Sequence, residues 1–301
     1  MVKSFSIVLA LIVFTTSPNF ARSGKTGLSF LKVGVGARAL GMGEAYTAVA
    51  ADPTATHYNP AALTLARHPQ LLLMHKEWIQ DVQTEYIATK ASYEKFHFGM
   101  AVNATSVNDI ELRTTPGPAQ GTFSSRNAAI GITGAYEISP SLSLGVTGKY
   151  LYEKIFIDEA SGFGVDVGGW YQTPWRVRLA MAVNNLGSMN ELRRESSPLP
   201  TIIRVGGSYE AILERVHGSL IIASDIVTIK DEDELHLHTG AEFQYKETFS
   251  IRLGYQAGYE AKNVSAGIGL QYKILQLDYA FVPFKYDLGS THTLSLLFNF
   301  H

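Results

Sequence analysis

The clearest strand pattern in the chain lies at residues 234–246, which read ELHLHTGAEFQYK. From residue 235 to residue 245, every second position is leucine, threonine, alanine, phenylalanine or tyrosine, and the positions between them are charged, polar or glycine. Because strand side chains point to alternate faces, this segment has one largely apolar face and one polar face. About fourteen segments with this period follow one another from residue 69 to the end of the chain.

These segments are long for a soluble sheet. They run about 10–16 residues, whereas globular strands usually have ~5–6 and a tilted strand needs ~9–11 to cross a bilayer. Aromatic residues gather near the segment ends, as in the girdles of membrane barrels. A soluble sandwich also shows alternation and turns, but the lengths and the aromatic positions favour an all-β fold, a transmembrane antiparallel β-barrel of about 14 strands. The last segment alternates up to Phe300 and is similar to the C-terminal recognition strand of outer-membrane proteins, with His301 as a departure.

The composition excludes several kinds of site. The chain has 301 residues, of which 46% are hydrophobic and 17% charged, with a net charge of -2 and no cysteine. This charge balance implies no basic surface for nucleic acid. The absence of cysteine excludes disulfides, thiolate metal sites and a cysteine nucleophile.

The N-terminus is predicted to be an export signal over residues 1–23. Lys3 supplies the positive charge, Phe5–Phe14 is an apolar run, and Ala21 and Ser23 are the small residues that signal peptidase requires. Cleavage after Ala21 is equally compatible with the pattern. The apolar run is about half of the ~20 residues that a spanning helix needs. We therefore expect an exported protein in the outer membrane of a Gram-negative-type bacterium.

Residues 24–68 differ from the strands that follow. They are rich in glycine and then in alanine, with a helical tendency and an expected short helix. Wall side chains fill the interior of a barrel of ~8 strands. A barrel of fourteen strands has a wider lumen, which wall side chains alone do not fill. We expect residues 24–68 to form a hatch inside the lumen of a barrel built from residues 69–301.

Two motifs in this segment resemble a known family. Residues 30–50, FLKVGVGARALGMGEAYTAVA, and residues 58–63, YNPAAL, look like the opening of the PorV/PorQ family of FadL-like outer-membrane barrels. Glu44 and Ala62 depart from the pattern, because many relatives carry glycine at those positions. Alanine reaches positive φ less readily than glycine. The positions that carry the hatch motif are Arg38, Gly41, Met42, Gly43, Asp52, Asn59, Pro60 and Ala61.

The resemblance implies a non-enzymatic barrel that acts in type IX-type protein secretion or in surface attachment of cargo. Its partners would be outer-membrane lipids, translocon or attachment-complex proteins and their cargo. Loops at 108–120 and 187–199 are expected to contact those proteins, with Met189, Leu192 and Leu199 as apolar surface. The alternative is a FadL-like channel for uptake of hydrophobic small molecules such as fatty acids. Neither hypothesis requires a cofactor.

A row of charged residues is predicted for the lumen. Arg38 is expected to anchor the hatch to a lumen carboxylate such as Asp166, Asp225 or Asp278, because bidentate arginine–carboxylate pairs are geometrically specific. Arg176 is also assigned to the inner face. The lumen residues singled out are Asp166, Arg178, Arg204, Asp225, Glu242, Arg252 and Asp278.

Three further patterns are set aside. A GxGxxA motif at residues 34–39 formally matches a dinucleotide fingerprint, but that fingerprint needs a βαβ unit. His236 and His238 share a strand face with Glu234 and Glu242, and such a pair can bind a metal. A polar row facing the lumen is the simpler interpretation, so no metal site is predicted. The chain has no Gly-x-Ser-x-Gly nucleophile elbow, and no enzymatic activity is expected.

Overall fold

The computed structural model describes residues 27–300 except positions 80, 193, 194, 231, 233 and 234. The predicted signal peptide over residues 1–23 lies outside the described residues. Within the described part, none of the helices is long and apolar enough to cross a membrane.

The wall is one antiparallel sheet that closes on itself. In the described residues its strands are β1 (Gln70–Glu77), β2 (Val82–Tyr93), β3 (Phe96–Leu112), β4 (Gly121–Ser139), β5 (Leu142–Ile155), β6 (Asp158–Gln172), β7 (Val177–Leu192), β8 (Glu195–Pro198), β9 (Ile202–Leu213), β10 (Gly218–Ile229), β11 (Leu235–Tyr245), β12 (Phe249–Ala257), β13 (Val264–Tyr272), β14 (Leu275–Pro283) and β15 (Ser290–Asn299). β15 pairs with β1, β7 pairs with β6 and β9, and the short β8 pairs with β7 alone. Without β8 the closed barrel has 14 strands, which confirms the predicted fold class.

Alternation along each strand separates an apolar outside from a polar inside. On β12, Leu253 is 63% exposed and its neighbour Arg252 is 1% exposed. The outward leucine, isoleucine, valine and aromatic side chains match the lipid-facing band of membrane barrels. The inward positions carry most of the buried polar and charged side chains.

Connection lengths distinguish the two rims. The turn rim has short connections, at 94–95, 140–141, 173–176, 214–217, 246–248 and 273–274. The opposite loop rim carries the connections at 78–81, 113–120, 156–157, 193–201, 230–234, 258–263 and 284–289. β3 occupies the first part of the loop expected at 108–120. Short turns on one rim and longer loops on the other are usual for membrane barrels.

The N-terminal segment, residues 27–66, runs through the lumen from the loop rim to the turn rim. The small side chains of this segment let its backbone lie close to the wall. The core of the molecule forms between the segment and the wall. The core residues that the segment contributes include Val35, Met42, Tyr46, Tyr58 and Leu63. Its elements are a 3₁₀-helix (Ser29–Lys32), α1 (Ala37–Gly41), α2 (Ala55–Tyr58) and a second 3₁₀-helix (Pro60–Leu65).

The helical tendency predicted after Ala37 ends earlier than the alanine content suggests. α1 stops at Gly41, and residues 42–51 form turns. Gly43 and Glu44 adopt φ of 62° and 59°. Because left-handed backbone cannot continue a right-handed helix, these two residues end α1.

The connection between β7 and β9 corrects one prediction. Residues 187–199 were expected to be an exposed loop, but β7 and β8 span most of them. Met189 and Leu199 are each 5% exposed, and Leu192 is half-buried against the same cluster. These side chains are buried because the start of the N-terminal segment lies beneath them and supplies apolar partners, namely Leu28, Phe30 and Leu31.

Candidate ligand cavities around the N-terminal segment

A buried chain of charges holds α1 against the wall. The Arg38 guanidinium donates to both carboxylate oxygens of Glu242 on β11, at 2.9 Å from Nε and 2.6 Å from Nη2. Glu242 also accepts from Arg252 on β12, and Arg252 donates to Asp278 on β14 at 2.7 Å. Burial alone would lower the pKa of Arg38, but Glu242 raises it well above its ordinary value. The anchor of α1 is therefore a bidentate ion pair.

β7 and β10 hold the stretch that follows α1. Asp225 on β10 accepts the amides of Tyr46 and Thr47, each at 2.9 Å, and the Thr47 hydroxyl at 2.6 Å. Arg178 on β7 donates to the carbonyl oxygen of Ala48 at 3.0 Å. Both wall residues bind backbone groups of the segment. They therefore fix the path of its backbone and depend little on which side chains it carries.

Two further lumen residues face inward without touching α1. Asp166 pairs with Lys149 at 2.6 Å, and Arg204, only 2% exposed, lies over the Tyr58 ring at 5.4 Å. The three aspartates expected to bind Arg38 are thus engaged by other groups, and Glu242 takes their place. Arg38 meets Glu242 because α1 packs on the β12–β15 side of the barrel.

The Gly-Met-Gly motif is a site of close backbone contact. A Cβ at Gly41 would lie 3.1 Å from the Cα of Gly267, and a Cβ at Gly43 would lie 2.9 Å from the amide nitrogen of Tyr255. Gly43 also has a φ of +62°, which favours glycine. Met42 is fully buried between them. The motif lets the end of α1 rest directly on β12 and β13.

The Asn-Pro-Ala motif starts the second 3₁₀-helix. The Asn59 side chain accepts the amide of Ala61 at 3.1 Å and donates to the carbonyl oxygen of Thr47 at 3.0 Å. Pro60 stands at the first helical position, where its missing N–H leaves no bond unmade. Trp170 on β6 donates from Nε1 to the Ala61 carbonyl oxygen at 3.1 Å. The motif thus caps a helix and docks it on the wall.

Two neighbouring residues of the motif region have local roles. Asp52 accepts the amide of Thr54 at 2.9 Å and the hydroxyl of Tyr46 at 2.6 Å. Ala62 lies in the 3₁₀-helix and is not among the residues with positive φ. An alanine at this position therefore introduces no backbone strain.

A cavity of about 390 Å³, here called the lysine cavity, lies at the loop rim between the segment and β12–β15. Its polar groups come from both sides and are Lys32, Glu44, Lys76, Gln256, Tyr259, Glu260, Lys262 and Thr291. Its apolar lining is Val33, Leu40, Trp78, Val282 and Phe284.

Glu44 joins the segment to the loop at 258–263. Its Oε1 accepts from Lys262 at 3.1 Å and from Gln256 at 3.3 Å. Burial would raise the pKa of Glu44, but Lys262, His238 and Arg204 together bring it well below its ordinary range. Glu44 is therefore ionised although it is 3% exposed.

Lys76 is a buried lysine that the sequence analysis missed. It is 1% exposed and donates to the carbonyl oxygen of Gly34 at 2.9 Å. β1 has leucines on both faces, so alternation could not show that Lys76 points inward. Lys90 on β2 was missed as well, although it is equally buried.

Two other cavities adjoin the segment. The arginine cavity, about 510 Å³ at the turn rim, is lined by Arg38 and Arg178 together with Val49 and Leu65. Arg176, assigned to the inner face, instead lies exposed in the β6–β7 turn at the mouth of this cavity. The glutamate cavity, about 330 Å³ at the loop rim, has a mixed lining of Leu28, Phe30, Val33, Trp78, Val82, Val107, Asn127 and Glu153.

The histidine pair has structural partners. His236 stacks on Tyr259 with ring centroids 4.0 Å apart, and His238 shares a hydrogen bond with the Tyr259 hydroxyl at 3.0 Å. In the part of the chain that the structure describes, no group of three or more histidines or carboxylates is placed to hold a metal ion.

Solved structures with the same fold include membrane channels. CymD, a monoaromatic hydrocarbon channel, matches with a TM-score of 0.61 at 14% identity, over 92% of this chain and 99% of that chain. The Pseudomonas putida toluene transporter TodX matches with a TM-score of 0.59 at 14% identity, over 88% and 96%. A Pseudomonas aeruginosa FadL homologue matches with a TM-score of 0.58 at 12% identity, over 88% and 98%. At these identities the likeness establishes a FadL-type barrel fold.

Comparison by sequence gives a family. Among curated proteins, none matches this chain. The model of an uncharacterised protein family, UPF0164, matches residues 10–164, which is just over half of the chain. The chain therefore belongs to the uncharacterised protein family UPF0164.

Proposed function

We propose that this protein is an outer-membrane channel for hydrophobic small molecules, and that its ligands carry an acidic head group, as fatty acids do. The lysine cavity is the observation that carries this proposal. Ligand sites of about 300–1,000 Å³ typically combine an apolar lining with a few placed polar groups. This cavity has that size and that combination.

The charges in the lysine cavity favour an acidic ligand. An ammonium group has three donors, and among the described residues Lys76 uses one, on the carbonyl oxygen of Gly34. Described carboxylates all lie beyond salt-bridge distance of Lys76, and the nearby Lys262 is bound to Glu44. A ligand carboxylate would accept from the two donors of Lys76 that no described residue accepts from.

Passage through the lumen requires a movement of the N-terminal segment. Leu40 lines the lysine cavity and Arg38 lines the arginine cavity, so α1 lies between the two. A ligand bound at the loop rim would reach the turn rim only when α1 leaves its seat, which is a gating step and not a chemical one. The presence of the same fold in hydrocarbon channels also supports a hydrophobic cargo for this protein.

The outer-membrane assignment rests on three sequence and structural features. The outward apolar belt fits the hydrocarbon layer, and the final strand is similar to a recognition strand of outer-membrane proteins. Residues 1–23 supply the predicted export signal. With short turns on the periplasmic side, the lysine cavity would face the cell exterior.

Binding of decanoate tests the proposal. Decanoate should bind the purified barrel in nanodiscs, and Lys76→Met should weaken that binding about tenfold or more, because hydrogen bonds to charged groups contribute ~1.5–3 kcal/mol. Binding of 1-decanol, which has no charge, should change little. Lys90→Met is the matched control, because Lys90 is equally buried but binds carbonyl oxygens outside the cavity. Absence of decanoate binding to the wild-type protein would overturn the proposal.

Protein secretion or cargo attachment with translocon partners is the second hypothesis, and the motif resemblance over residues 30–63 supports it. Its expected partner surface is weaker than the sequence suggested, because Met189 and Leu199 are buried. Mild-detergent purification from native outer membranes, followed by mass spectrometry, separates the two hypotheses. Large co-purifying proteins with a shared C-terminal domain would favour secretion, and a bound apolar acid without a protein partner would favour the channel.

A further inference from the structure

The lysine cavity and the glutamate cavity lie on two sides of the same pair of residues. Val33 from the N-terminal segment and Trp78 from the end of β1 line both cavities. The Trp78 backbone amide donates to the carbonyl oxygen of Val82 at 2.8 Å. Its indole meets Phe284 edge-on, with ring centroids 6.4 Å apart. Trp78 is thus held from both the wall and the loop at 284–289, and together with Val33 it lines both cavities.

The glutamate cavity can accept the apolar end of a long molecule. Besides Val33 and Trp78, four of its lining residues, Leu28, Phe30, Val82 and Val107, are apolar. Its polar side is acidic, since it carries the Glu153 carboxylate, for which the described residues supply no ion pair. The lysine cavity has the opposite balance, because three lysines, Lys32, Lys76 and Lys262, line it against two carboxylates, Glu44 and Glu260. An acidic head would therefore stay in the lysine cavity, and only the apolar chain would extend toward Trp78.

The two cavities are similar in size, about 390 Å³ for the lysine cavity and about 330 Å³ for the glutamate cavity. Joining them would nearly double the space that is open to the apolar chain of a ligand. Decanoate serves as the shorter probe of that space and hexadecanoate as the longer one.

We propose that Trp78 is the specificity-determining residue that limits ligand length, because its indole closes the lysine cavity toward the glutamate cavity. The two cavities are then halves of one elongated site, of which the wild-type protein uses the first. This inference rests on the proposed channel function and adds a size rule to it. Replacing the indole by a small side chain joins the halves and admits a longer chain.

The experiment compares the dissociation constants of hexadecanoate and decanoate for each variant in nanodiscs of one lipid composition. The two acids partition differently into lipid. Comparing the ratio of their dissociation constants between variants removes this difference, because it is the same for every variant. Each additional buried methylene contributes about 0.8 kcal/mol, a factor of about four. If only two more methylenes become buried, Trp78→Ala shifts the ratio toward hexadecanoate by at least tenfold.

Two variants serve as controls. Trp78→Phe keeps a ring at the partition and should leave the ratio near that of the wild type. Val107→Ala enlarges the glutamate cavity alone and should also leave it unchanged, because the partition stays closed. Heat-modifiable mobility on gels establishes that each barrel is folded, and Trp78→Leu replaces Trp78→Ala if the alanine variant does not fold.

Each outcome decides between the two proposals. A shift of the ratio in Trp78→Ala without a shift in Trp78→Phe supports the length rule. An unchanged ratio in a folded Trp78→Ala barrel, or a wild-type protein that already prefers hexadecanoate to the same degree, overturns the length rule and leaves the channel proposal standing. If neither acid binds the wild-type protein, the channel proposal itself is wrong.

Discussion

Replacement of Arg38 by alanine should release the N-terminal segment from its seat. The variant loses a bidentate pair with Glu242 that is 2.6 Å at its shorter contact. Breaking a buried ion pair by removing one partner typically costs ~3–5 kcal/mol. Because Glu242 keeps its bond to Arg252, we expect the lower end, about 3 kcal/mol. Since 1.4 kcal/mol corresponds to a factor of ten, the displaced form should become about a hundred times more populated.

Two assays measure this displacement. In planar bilayers, Arg38→Ala should raise the mean conductance or the frequency of open events. In nanodiscs, protease should cleave within residues 27–66 faster in the variant than in the wild type. Arg67→Ala is the control, because Arg67 pairs with Glu137 at 2.6 Å but its side chain is 70% exposed. Exposed pairs contribute only about 0–1 kcal/mol, so this control should resemble the wild type.

In a folded Arg38→Ala barrel, conductance and protease sensitivity must both differ from the Arg67→Ala control. If both stay at the control values, the charge chain of Arg38, Glu242 and Arg252 does not hold α1 in place. In that case the close backbone contact of Gly41 and Gly43 with the wall would be sufficient to hold it.

Three further predictions concern the same segment. Gly43→Val should raise bilayer conductance, because its Cβ would lie 2.9 Å from a β12 amide nitrogen and valine disfavours a φ of +62°; wild-type conductance would contradict the close-contact account. Glu44→Gln should lower the melting temperature at neutral pH. The pKa of Glu44 is held low against its burial by Lys262, so the stabilisation is complete above the ordinary value of ~4.3 and is lost only as pH falls through the lowered pKa; the wild-type advantage should therefore persist to about pH 4. Asn59→Ala should reduce the free energy of unfolding by about 1 kcal/mol through loss of a helix cap, measured by urea titration, and an unchanged midpoint would refute that role.

The fold followed from local properties of the sequence. A period of two continued over segments long enough to cross a bilayer leaves few alternatives to a membrane barrel, because an open sheet would leave backbone groups unpaired in lipid. The β7–β9 connection was not predictable in the same way. Met189 becomes buried through contact with Leu28 and Phe30, which lie far away in sequence. The local sequence pattern of residues 187–199 therefore does not predict that contact.

The interior was only partly predictable for a related reason. Alternation places Asp225, Glu242 and Arg252 inside wherever the opposite face is apolar. It does not state which charges meet, because that depends on strand register and on the path of the N-terminal segment. Arg38 and Glu242 are 204 positions apart. Lys76 escaped notice because both faces of β1 are apolar, so the alternation that identifies an inner face is missing there.

Glu44 is a buried non-glycine residue with a φ of 59°, and its contacts show what it contributes at this position. A non-glycine residue with left-handed φ costs roughly 1–2 kcal/mol, and burial adds an unfavourable term for the charge. Despite both costs, Glu44 adopts this conformation and binds Lys262 at 3.1 Å, at the edge of the lysine cavity. A glycine there would end α1 equally well but would leave Lys262 without this partner. Glu44 therefore contributes a charge contact at the cavity edge that glycine would lack.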